Sequence, residues 1–319
     1  TPIIVSSFYF PVSINVLPGL NTKMALALVG CLIVAFQMGK RSLPTVDRQL
    51  FVISMWALSV SFITFVSMTY NETADNTYLT YIISMYVWLV AAYALVAFIR
   101  WVHGKYTLKL ISNYLIAVCV GQCALALAID QFKPLKIFVS KYIINTSWLE
   151  SVDRLYGIGA ELDTAGIRFS VAIVLLVYLL KNASKYVLEK YVPVYLAAFL
   201  VLVVVGNMIA RTTSVGVVVG MLYLIYSSKG TSSLKKTWWW LAGLLVVAVS
   251  ITIYFYNTNP AIYKDVRFAF EGFFNLFEKG EWYISSNETL KGMYVFPESL
   301  KTWIIGDGYI VNPKFDPYY

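Results

Sequence analysis

Long apolar runs separated by short polar stretches recur along almost the whole chain. We count nine runs, at about 1–17, 24–38, 50–70, 79–99, 110–129, 166–180, 192–210, 214–226 and 238–256. A bilayer core about 30 Å thick needs about 20 helical residues to cross it, and a crossing segment must satisfy its own backbone hydrogen bonds. We therefore predict an all-α polytopic membrane protein with about nine transmembrane helices and a large external loop.

The overall composition excludes the main alternatives to that prediction. Of the 319 residues, 59% are hydrophobic and only 13% are charged, whereas soluble domains carry about 25% charged residues. A single water-soluble core cannot bury such an excess of apolar side chains. A membrane β-barrel would show alternating segments of about 10 residues, and this pattern does not occur in the sequence.

The basic residues are distributed unevenly between the two sides of the predicted bundle. The alternate linkers 39–49, 100–109, 181–190 and 227–237 hold 12 basic and two acidic residues, and the rest of the chain holds 13 basic and 15 acidic residues. Cytoplasmic loops of membrane proteins are enriched in Lys and Arg, so we predict that these linkers and the N-terminus are cytoplasmic. The formal charge of +8 is therefore a topology signal, and we expect no nucleic-acid partner.

The remaining linkers suggest how the chain is organised. We predict a transmembrane helical domain over 1–256 that includes a long external loop at 131–165. Residues 257–319 then form a second large external loop, in which the spacing of apolar residues over 262–277 predicts an amphipathic helix at the membrane interface. No apolar run follows this loop, and we expect the full protein to continue into further spans.

Four arginines on the predicted external side are candidates for binding an anion: Arg154, Arg168, Arg211 and Arg267. Arg211 lies in a turn between two strongly apolar runs, and an ionisable residue near membrane depth is costly and usually functional. The following residues, 212–214, are typical helix caps. We expect the free amides at the start of the next helix, together with Arg211, to form an anion site.

Arg168 occupies a similar position. Asp163 or Thr164 is expected to cap a helix that enters from outside, with Arg168 about one turn further along. Two such helix starts would converge on one diphosphate, which arginine binds through two parallel hydrogen bonds. The alternative is that these arginines extend to the lipid headgroups without binding a substrate.

Three carboxylates are candidates for a general base: Glu161, Asp163 and Asp307. Glu161 and Asp163 lie beside Arg168, where a helix cap or an ion pair is the alternative role. Asp307 lies between Gly306 and Gly308, a pattern that equally indicates a tight turn. The chain has one histidine and no metal-ligand motif, so we predict neither a metal site nor a cofactor.

Several of these stretches resemble the bacterial O-antigen polymerase and O-antigen ligase superfamily, which are C-type membrane glycosyltransferases. The first runs from Arg154-Leu155-Tyr156-Gly157 into residues 162–169, and the second is the turn at Arg211. In the third, Arg267 in a predicted helix is followed by Trp303-Ile304-Ile305-Gly306-Asp307-Gly308-Tyr309. The resemblance covers about half of the chain, from Arg154 onward.

The resemblance implies transfer of glycan from undecaprenyl diphosphate to a sugar hydroxyl on the outer face of the bacterial inner membrane. Arg154, Arg168, Arg211 and Arg267 would hold the diphosphate. Lipid-linked oligosaccharide and membrane lipid are the implied partners, and a chain-length regulator protein is a further candidate. Ligases of this superfamily carry a histidine in the outer loop, and this chain has none there, which favours a polymerase. An O-antigen ligase and a polysaccharide flippase or other secondary transporter remain the alternatives.

Overall fold

A computed structural model shows a chain built from α-helices. It describes residues 1–15, 19–40, 48–143, 155–160, 162–182, 185–227, 252–294 and 296–309 except 298, with isolated positions 243, 246 and 250; the side chains of 163, 185–190 and 261 are not described. The helices are α1 (Pro2–Tyr9), α2 (Thr22–Gly39), α3 (Arg48–Asn71), α4 (Tyr81–His103), α5 (Leu108–Gln131), α6 (Lys133–Tyr142), α7 (Leu162–Asn182), α8 (Lys185–Ile209), α9 (Thr213–Ser227), α10 (Pro260–Ala269), α11 (Glu271–Lys279), α12 (Ser285–Met293) and α13 (Leu300–Ile304). Among these described ranges there is no β-strand, and the all-α prediction is confirmed.

Six helices, α2, α3, α4, α5, α7 and α8, are long and apolar enough to cross a membrane. This number fits a multi-pass membrane protein. The predicted count of nine is not confirmed. The run at 1–17 forms only the eight-residue α1, α9 has 15 residues, and most of 238–256 lies outside the described residues.

The predicted amphipathic helix over 262–277 is interrupted. It consists of two helices, α10 and α11, that meet at Phe270, whose φ of −116° and ψ of 27° lie outside the helical range. The carbonyl of Phe270 accepts hydrogen bonds from the amides of Phe273 and Phe274. Phe270 therefore caps the start of the second helix. The expectation of one continuous helix was therefore wrong, although both pieces are helical.

The chain divides into two compact units. The larger unit comprises Thr1–Thr22 and Leu95–Ile284, and the smaller unit comprises Lys23–Ala94 and Ser285–Tyr319. The division at residue 256 that the sequence suggests does not coincide with these units, and it stays a prediction about membrane topology.

The core of the larger unit is centred on α7. This helix contacts α5, α8 and α9, and half of its apolar stretch is buried, against 39% for α5 and α8. Its side chains Phe169, Ile173 and Leu176 are completely buried and pack with Phe10 of the segment after α1 and Leu202 of α8. One side of α7 is thus buried by protein, whereas apolar residues such as Ile167 and Val171 on its other side are exposed.

The closest helix contact in the larger unit is between α7 and α9. A side chain added at Gly216 would overlap the backbone of Ser170, and one added at Gly166 would overlap the hydroxyl of Thr212. Small residues at such positions allow helix backbones to approach closely. The Ser170 hydroxyl donates to the carbonyl of Thr212 at 2.9 Å and accepts from the amide of Gly216 at 3.2 Å.

A non-helical segment, 155–160, is buried in the larger unit just before α7. The side-chain amide of Gln122 in α5 forms two hydrogen bonds with the backbone of Ile158. Its Nε2 donates to the Ile158 carbonyl and its Oε1 accepts from the Ile158 amide, each at 2.9 Å. Leu155 and Tyr156 are each about 5% exposed or less. Buried irregular backbone needs such partners in a membrane protein. This part of the predicted external loop 131–165 is therefore packed inside the protein.

The helices of the smaller unit expose most of their apolar surface. Only 11% of the apolar stretch of α2 and 17% of that of α3 are buried, and side chains such as Leu32 and Trp56 are 71% exposed. The polar contacts between these helices include the Tyr93 hydroxyl, which donates to Gln37 at 2.6 Å. Exposed apolar helix surface of this kind is suited to lipid.

The close contact between α7 and α9 predicts a large effect of a single methyl group. We expect Gly216→Ala to lower the melting temperature in detergent, because overpacking costs about 1–3 kcal/mol. Gly121→Ala is the matched control, since open space surrounds Gly121 and alanine favours a helix. Equal melting temperatures of the two variants, measured by thermal unfolding followed by size exclusion, would contradict the role of Gly216.

Candidate functional site

Arg168 is held at the start of α7 by contacts from the segment around the end of α1. Its guanidinium lies over the ring of Phe10, with 5.3 Å between Cζ and the ring centroid. Its carbonyl oxygen accepts a hydrogen bond of 3.1 Å from the hydroxyl of Tyr9. The ring of Phe10 also contacts that of Phe169 at 5.8 Å between centroids. The position of Arg168 is therefore set by aromatic packing and backbone bonding.

The start of α9 differs from its expected form as an anion site. Its first four amides, Thr213 to Gly216, are all hydrogen bonded: three of them bond to the carbonyls of Ala210, Arg211 and Thr212, and the fourth bonds to the Ser170 hydroxyl. The expectation of free amides at this helix start was therefore wrong. The helix is capped by a hydroxyl from α7, and the cationic group that we assign to this position is the Arg211 side chain.

Arg211 contacts residues of two short helices that follow one another in the chain, α10 and α11. Its Nε donates to the carbonyl of Phe268 at 2.8 Å, and its guanidinium lies 3.9 Å from the centroid of the Phe268 ring. Its Nη2 forms an ion pair of 2.7 Å with Glu271 Oε2, and the two side chains are 18% and 22% exposed. Arg211 is thus partly shielded and oriented on three sides.

Arg267 of α10 is adjacent in sequence to Phe268 and is paired in the same manner. Its Nη1 and Nη2 donate to the two carboxylate oxygens of Glu278 in α11, at 2.9 and 2.5 Å. Its Nη1 also lies 3.3 Å from the hydroxyl of Tyr263 and 3.5 Å from that of Tyr256. The Arg267 guanidinium lies 4.9 Å from the Phe274 ring centroid.

These contacts shift the pKa values of both Arg267 and Glu278. The hydrogen bonds from Arg267 hold the pKa of the Glu278 carboxyl below its usual value. The hydrogen bonds to Glu278 and Tyr256 raise the pKa of Arg267 above its usual value. Both residues are therefore charged at neutral pH, and each stabilises the charge of the other.

An apolar groove lies beside Arg267. It has a volume of about 520 Å³ and is lined by the apolar residues of α10 and α11, Val266, Phe270, Phe273, Phe274 and Phe277, together with Thr252, Ile253, Tyr256 and Asn257. Two of these residues, Tyr256 and Phe274, also contact the Arg267 guanidinium. A cation and an apolar groove are therefore in direct contact at this position.

The larger unit brings together the segments that carry three of the predicted arginines. The residues flanking Arg168 and Arg211 are joined through Gly166, Ser170 and Thr212. Arg211 and Arg267 are linked through Phe268, which is adjacent to Arg267 and contacts Arg211. We call the group Arg168, Arg211 and Arg267 the arginine cluster. Arg154 and Glu161 lie outside the described residues, as does the side chain of Asp163.

The glutamates of the arginine cluster were not anticipated from the sequence. Glu271 and Glu278 partner Arg211 and Arg267; Glu271 lies within the segment 262–277 predicted to be an interfacial helix, and Glu278 directly follows that segment. The only signal in the sequence was their position on a short, strongly amphipathic segment next to Arg267. Sequence distance did not indicate which arginine each one would bind.

Asp307 belongs to the smaller unit and lies in a turn, as its flanking glycines predicted. Gly306 and Gly308 have φ values of +81° and +79°, which side chains disfavour. The Asn71 amide donates to the Gly306 carbonyl at 3.0 Å. The Asp307 carboxylate accepts from the Thr302 hydroxyl at 3.0 Å and lies 4.0 Å from the Lys301 ammonium.

The turn borders a cavity of about 250 Å³ within the smaller unit. Its lining includes two carboxylates, Asp75 and Asp307, and the side chains of Ser67, Tyr78 and Tyr309. Such a set offers hydrogen-bond acceptors and aromatic faces to a polar ligand. Asp307 is therefore bonded within its turn and also accessible from a cavity.

We compared the chain with protein-family models, with curated proteins and with solved structures, and none of these comparisons gave a match. The assignment of a function therefore depends on the chemistry of the arginine cluster and its surroundings.

The Arg267–Glu278 pair predicts that the contact between α10 and α11 loosens in acid. Because the pKa of Glu278 is lowered in the folded state, the stabilisation is complete above the usual carboxyl pKa of about 4.3. It is lost as the pH falls through the lowered value. We expect hydrogen exchange over 260–279, corrected for intrinsic rates, to be constant from about pH 7 to pH 5 and to accelerate below about pH 4.

The glutamine variants show whether this pair is the cause. We expect Glu278→Gln to exchange faster at neutral pH and to lose the acid step. Glu281→Gln, an exposed glutamate nearby, should keep that step. An unchanged acid step in Glu278→Gln would show that another group is responsible.

Proposed function

We propose that this chain is a membrane glycosyltransferase of the O-antigen polymerase kind. It transfers a glycan from an undecaprenyl-diphosphate-linked donor to a sugar hydroxyl of a lipid-linked acceptor, on the outer face of the bacterial inner membrane. The resemblance described above and the arginine cluster support this proposal together.

The observation that carries the proposal is the contact between Arg267 of the arginine cluster and the apolar groove. The donor lipid combines two phosphates with a long polyprenyl chain, so it needs fixed cations beside an apolar surface. Arg211 and Arg267 supply the cations, and the aromatic residues of α10 and α11 supply the surface. Arginine is suited to this role because its planar fork binds two phosphate oxygens at once.

In the proposed reaction, negative charge develops on the diphosphate, which these cations bind. The acceptor hydroxyl oxygen attacks the anomeric carbon, a C–O bond forms, and the bond from that carbon to the phosphate oxygen breaks. The diphosphate departs with the bonding electron pair, and its negative charge increases as the bond breaks. Cations held in place before the reaction stabilise that charge without reorganisation.

The two glutamates occupy the guanidinium groups before the substrate binds. Glu271 is 22% exposed and Glu278 is 43% exposed, and ion pairs that reach solvent contribute little stability. A phosphate carries more charge and more acceptor oxygens than a carboxylate. In our proposal the diphosphate therefore replaces the glutamates as the partner of Arg211 and Arg267.

A general base must take the proton of the acceptor hydroxyl. Glu161, Asp163 and Asp307 are the proposed candidates, and Asp307 is the one whose side chain the structure describes. It borders a cavity with Asp75 and two tyrosines, groups that bind sugar hydroxyls and sugar faces. Asp307 is kept as a candidate base, and its carboxylate accepts a hydrogen bond from Thr302 and lies 4.0 Å from the Lys301 ammonium.

We predict that Arg211→Ala and Arg267→Ala abolish long glycan chains while the protein still inserts into the membrane. Removing one fixed cation from a developing oxyanion lowers the turnover by about 10²–10³-fold. The assay incubates purified protein with a lipid-linked repeat unit and separates the products by length. Lys264→Ala, which removes an exposed cation of the same helix α10, should change the product ladder little.

A second control separates phosphate binding from structural pairing. Glu271→Gln breaks the same ion pair as Arg211→Ala but keeps the cation, so we expect it to retain activity. If Glu271→Gln loses as much activity as Arg211→Ala, Arg211 acts only through the structure. A normal ladder from both arginine variants would refute the proposed site.

We predict that Asp307→Asn lowers turnover by about 10²–10⁴-fold, the usual contribution of a general base. Asparagine keeps the size of the side chain and its suitability for turns, so the fold of the Gly306–Gly308 turn should persist. The measurement is the rate of dimer formation from a lipid-linked repeat unit as a function of pH. A variant with wild-type turnover at every pH would show that Asp307 serves the turn alone.

A further inference from the structure

A cavity of about 700 Å³ lies between α5 and α8, away from the arginine cluster. It is lined on α5 by Lys109, Asn113, Ile116, Ala117 and Val120, and on α8 by Tyr191, Val194, Tyr195, Ala197, Ala198 and Val201. Both helices are apolar enough to span a membrane. The lining is therefore mostly apolar and belongs to membrane-spanning helices.

Small side chains keep this cavity open. Ala117, Ala197 and Ala198 contribute one methyl group each where larger residues would fill the space between the helices. An apolar group that enters such a space gains dispersion contacts with its walls. In a membrane, the acyl chains of lipids are the apolar groups that can supply these contacts.

The two helices run in the same direction along the cavity. Tyr195 donates to Asn113 at 2.9 Å, and on each helix this bonded residue lies four positions after the first lining residue, Lys109 or Tyr191. Further along both helices, Cys119 of α5 and Gly206 of α8 approach neighbouring residues of α7, Arg168 and Phe169, so residue numbers increase in the same direction on both helices. The last lining residues, Val120 and Val201, lie seven and six positions after the bonded pair. Lys109 and Tyr191 are therefore at one end of the cavity, and the two valines are at the other.

The length of the cavity matches one leaflet of a bilayer. The stretch from Lys109 to Val120 advances 11 residues, which at 1.5 Å per residue is about 16 Å. A hydrocarbon core is about 30 Å thick, so half of it is about 15 Å. The cavity thus extends from one membrane surface to about the midplane.

The end at the membrane surface is cationic. Lys109 is exposed and has no ion-pair partner among the residues that the structure describes. Tyr191 beside it is 44% exposed. Lysine and tyrosine at this depth are typical of the headgroup region, where an ammonium attracts the phosphate of a lipid.

We propose that this cavity binds an anionic phospholipid of the leaflet at Lys109, with one acyl chain between α5 and α8 and its phosphate at the Lys109 ammonium. The site is distinct from the arginine cluster, because Tyr191 lies near the start of α8 and Arg211 follows its end. The inference is independent of the proposed transferase activity. The proposed occupant is a membrane phospholipid, and the competition experiment below distinguishes it from the substrate lipid.

The test uses phosphatidylglycerol that carries a photoactivatable group in its acyl chain. The purified full chain is reconstituted in vesicles of phosphatidylcholine with a few per cent of this probe, irradiated, and the labelled peptides are identified. We expect labelling to concentrate on 116–120 and 197–201. Even labelling of all lipid-facing helices would overturn the proposal.

Two variants and their controls test the cavity and its cation. Ala198→Phe should fill the cavity and remove most of this labelling, whereas Ala124→Phe on the exposed side of α5 should not. Lys109→Gln should lower labelling by phosphatidylglycerol about fivefold, the effect of one basic residue near an anionic surface, and Lys105→Gln should change it less. Labelling unchanged in Ala198→Phe would overturn the proposal even if Lys109→Gln has an effect.

A competition experiment identifies the occupant. Unlabelled phosphatidylglycerol should reduce labelling of 197–201 in proportion to its amount, and polyprenyl phosphate at the same concentration should not. If polyprenyl phosphate competes and phosphatidylglycerol does not, the cavity belongs to the substrate lipid and the phospholipid proposal is wrong. This experiment requires no enzymatic turnover, so its result is separate from that for the transferase.

Discussion

The close contact between α7 and α9 is the interaction on which the larger unit depends. Gly166 and Gly216 let the two backbones approach, and the Ser170 hydroxyl bonds to both the Thr212 carbonyl and the Gly216 amide. Within a membrane protein these backbone groups have no water to satisfy them, so the bonds are expensive to lose. Arg168 lies two residues before Ser170, and Arg211 lies next to Thr212. The contact between Ser170 and Thr212 therefore also brings together the chain segments that carry these two arginines.

The charges at this end of the larger unit are balanced locally. Arg211 and Arg267 each have a carboxylate partner, and each also lies against an aromatic ring. Glu271 follows Arg267 by four positions, a spacing that forms ion pairs on a continuous helix. The chain leaves the helix at Phe270, between the two, and Glu271 pairs with Arg211 instead. The break at Phe270 thus distributes the two glutamates between two arginines.

Much of the framework could be predicted from the sequence, and the reason is that hydrophobicity acts locally. The apolar runs that correspond to α2, α3, α4, α5, α7 and α8 lie in helices of at least 18 residues, which are long and apolar enough to cross a membrane. Length alone made the shorter runs ambiguous: the run at 1–17 contains Pro11 and yields only α1, which ends at Tyr9. The turn at Asp307 was also predictable, because glycine favours the positive φ found on both sides of it.

That the chain is a helical membrane protein, and that a few arginines are its most unusual charges, follows from the amino-acid sequence, because both properties depend on composition along a single segment. The partners of these arginines follow only from how the helices pack in three dimensions. Ser170 reaches across 46 positions to cap α9, and Arg211 reaches across 57 to the Phe268 carbonyl. The buried segment 155–160 is held by Gln122 from another helix. Such bonds depend on which helices meet, and no local periodicity encodes that choice.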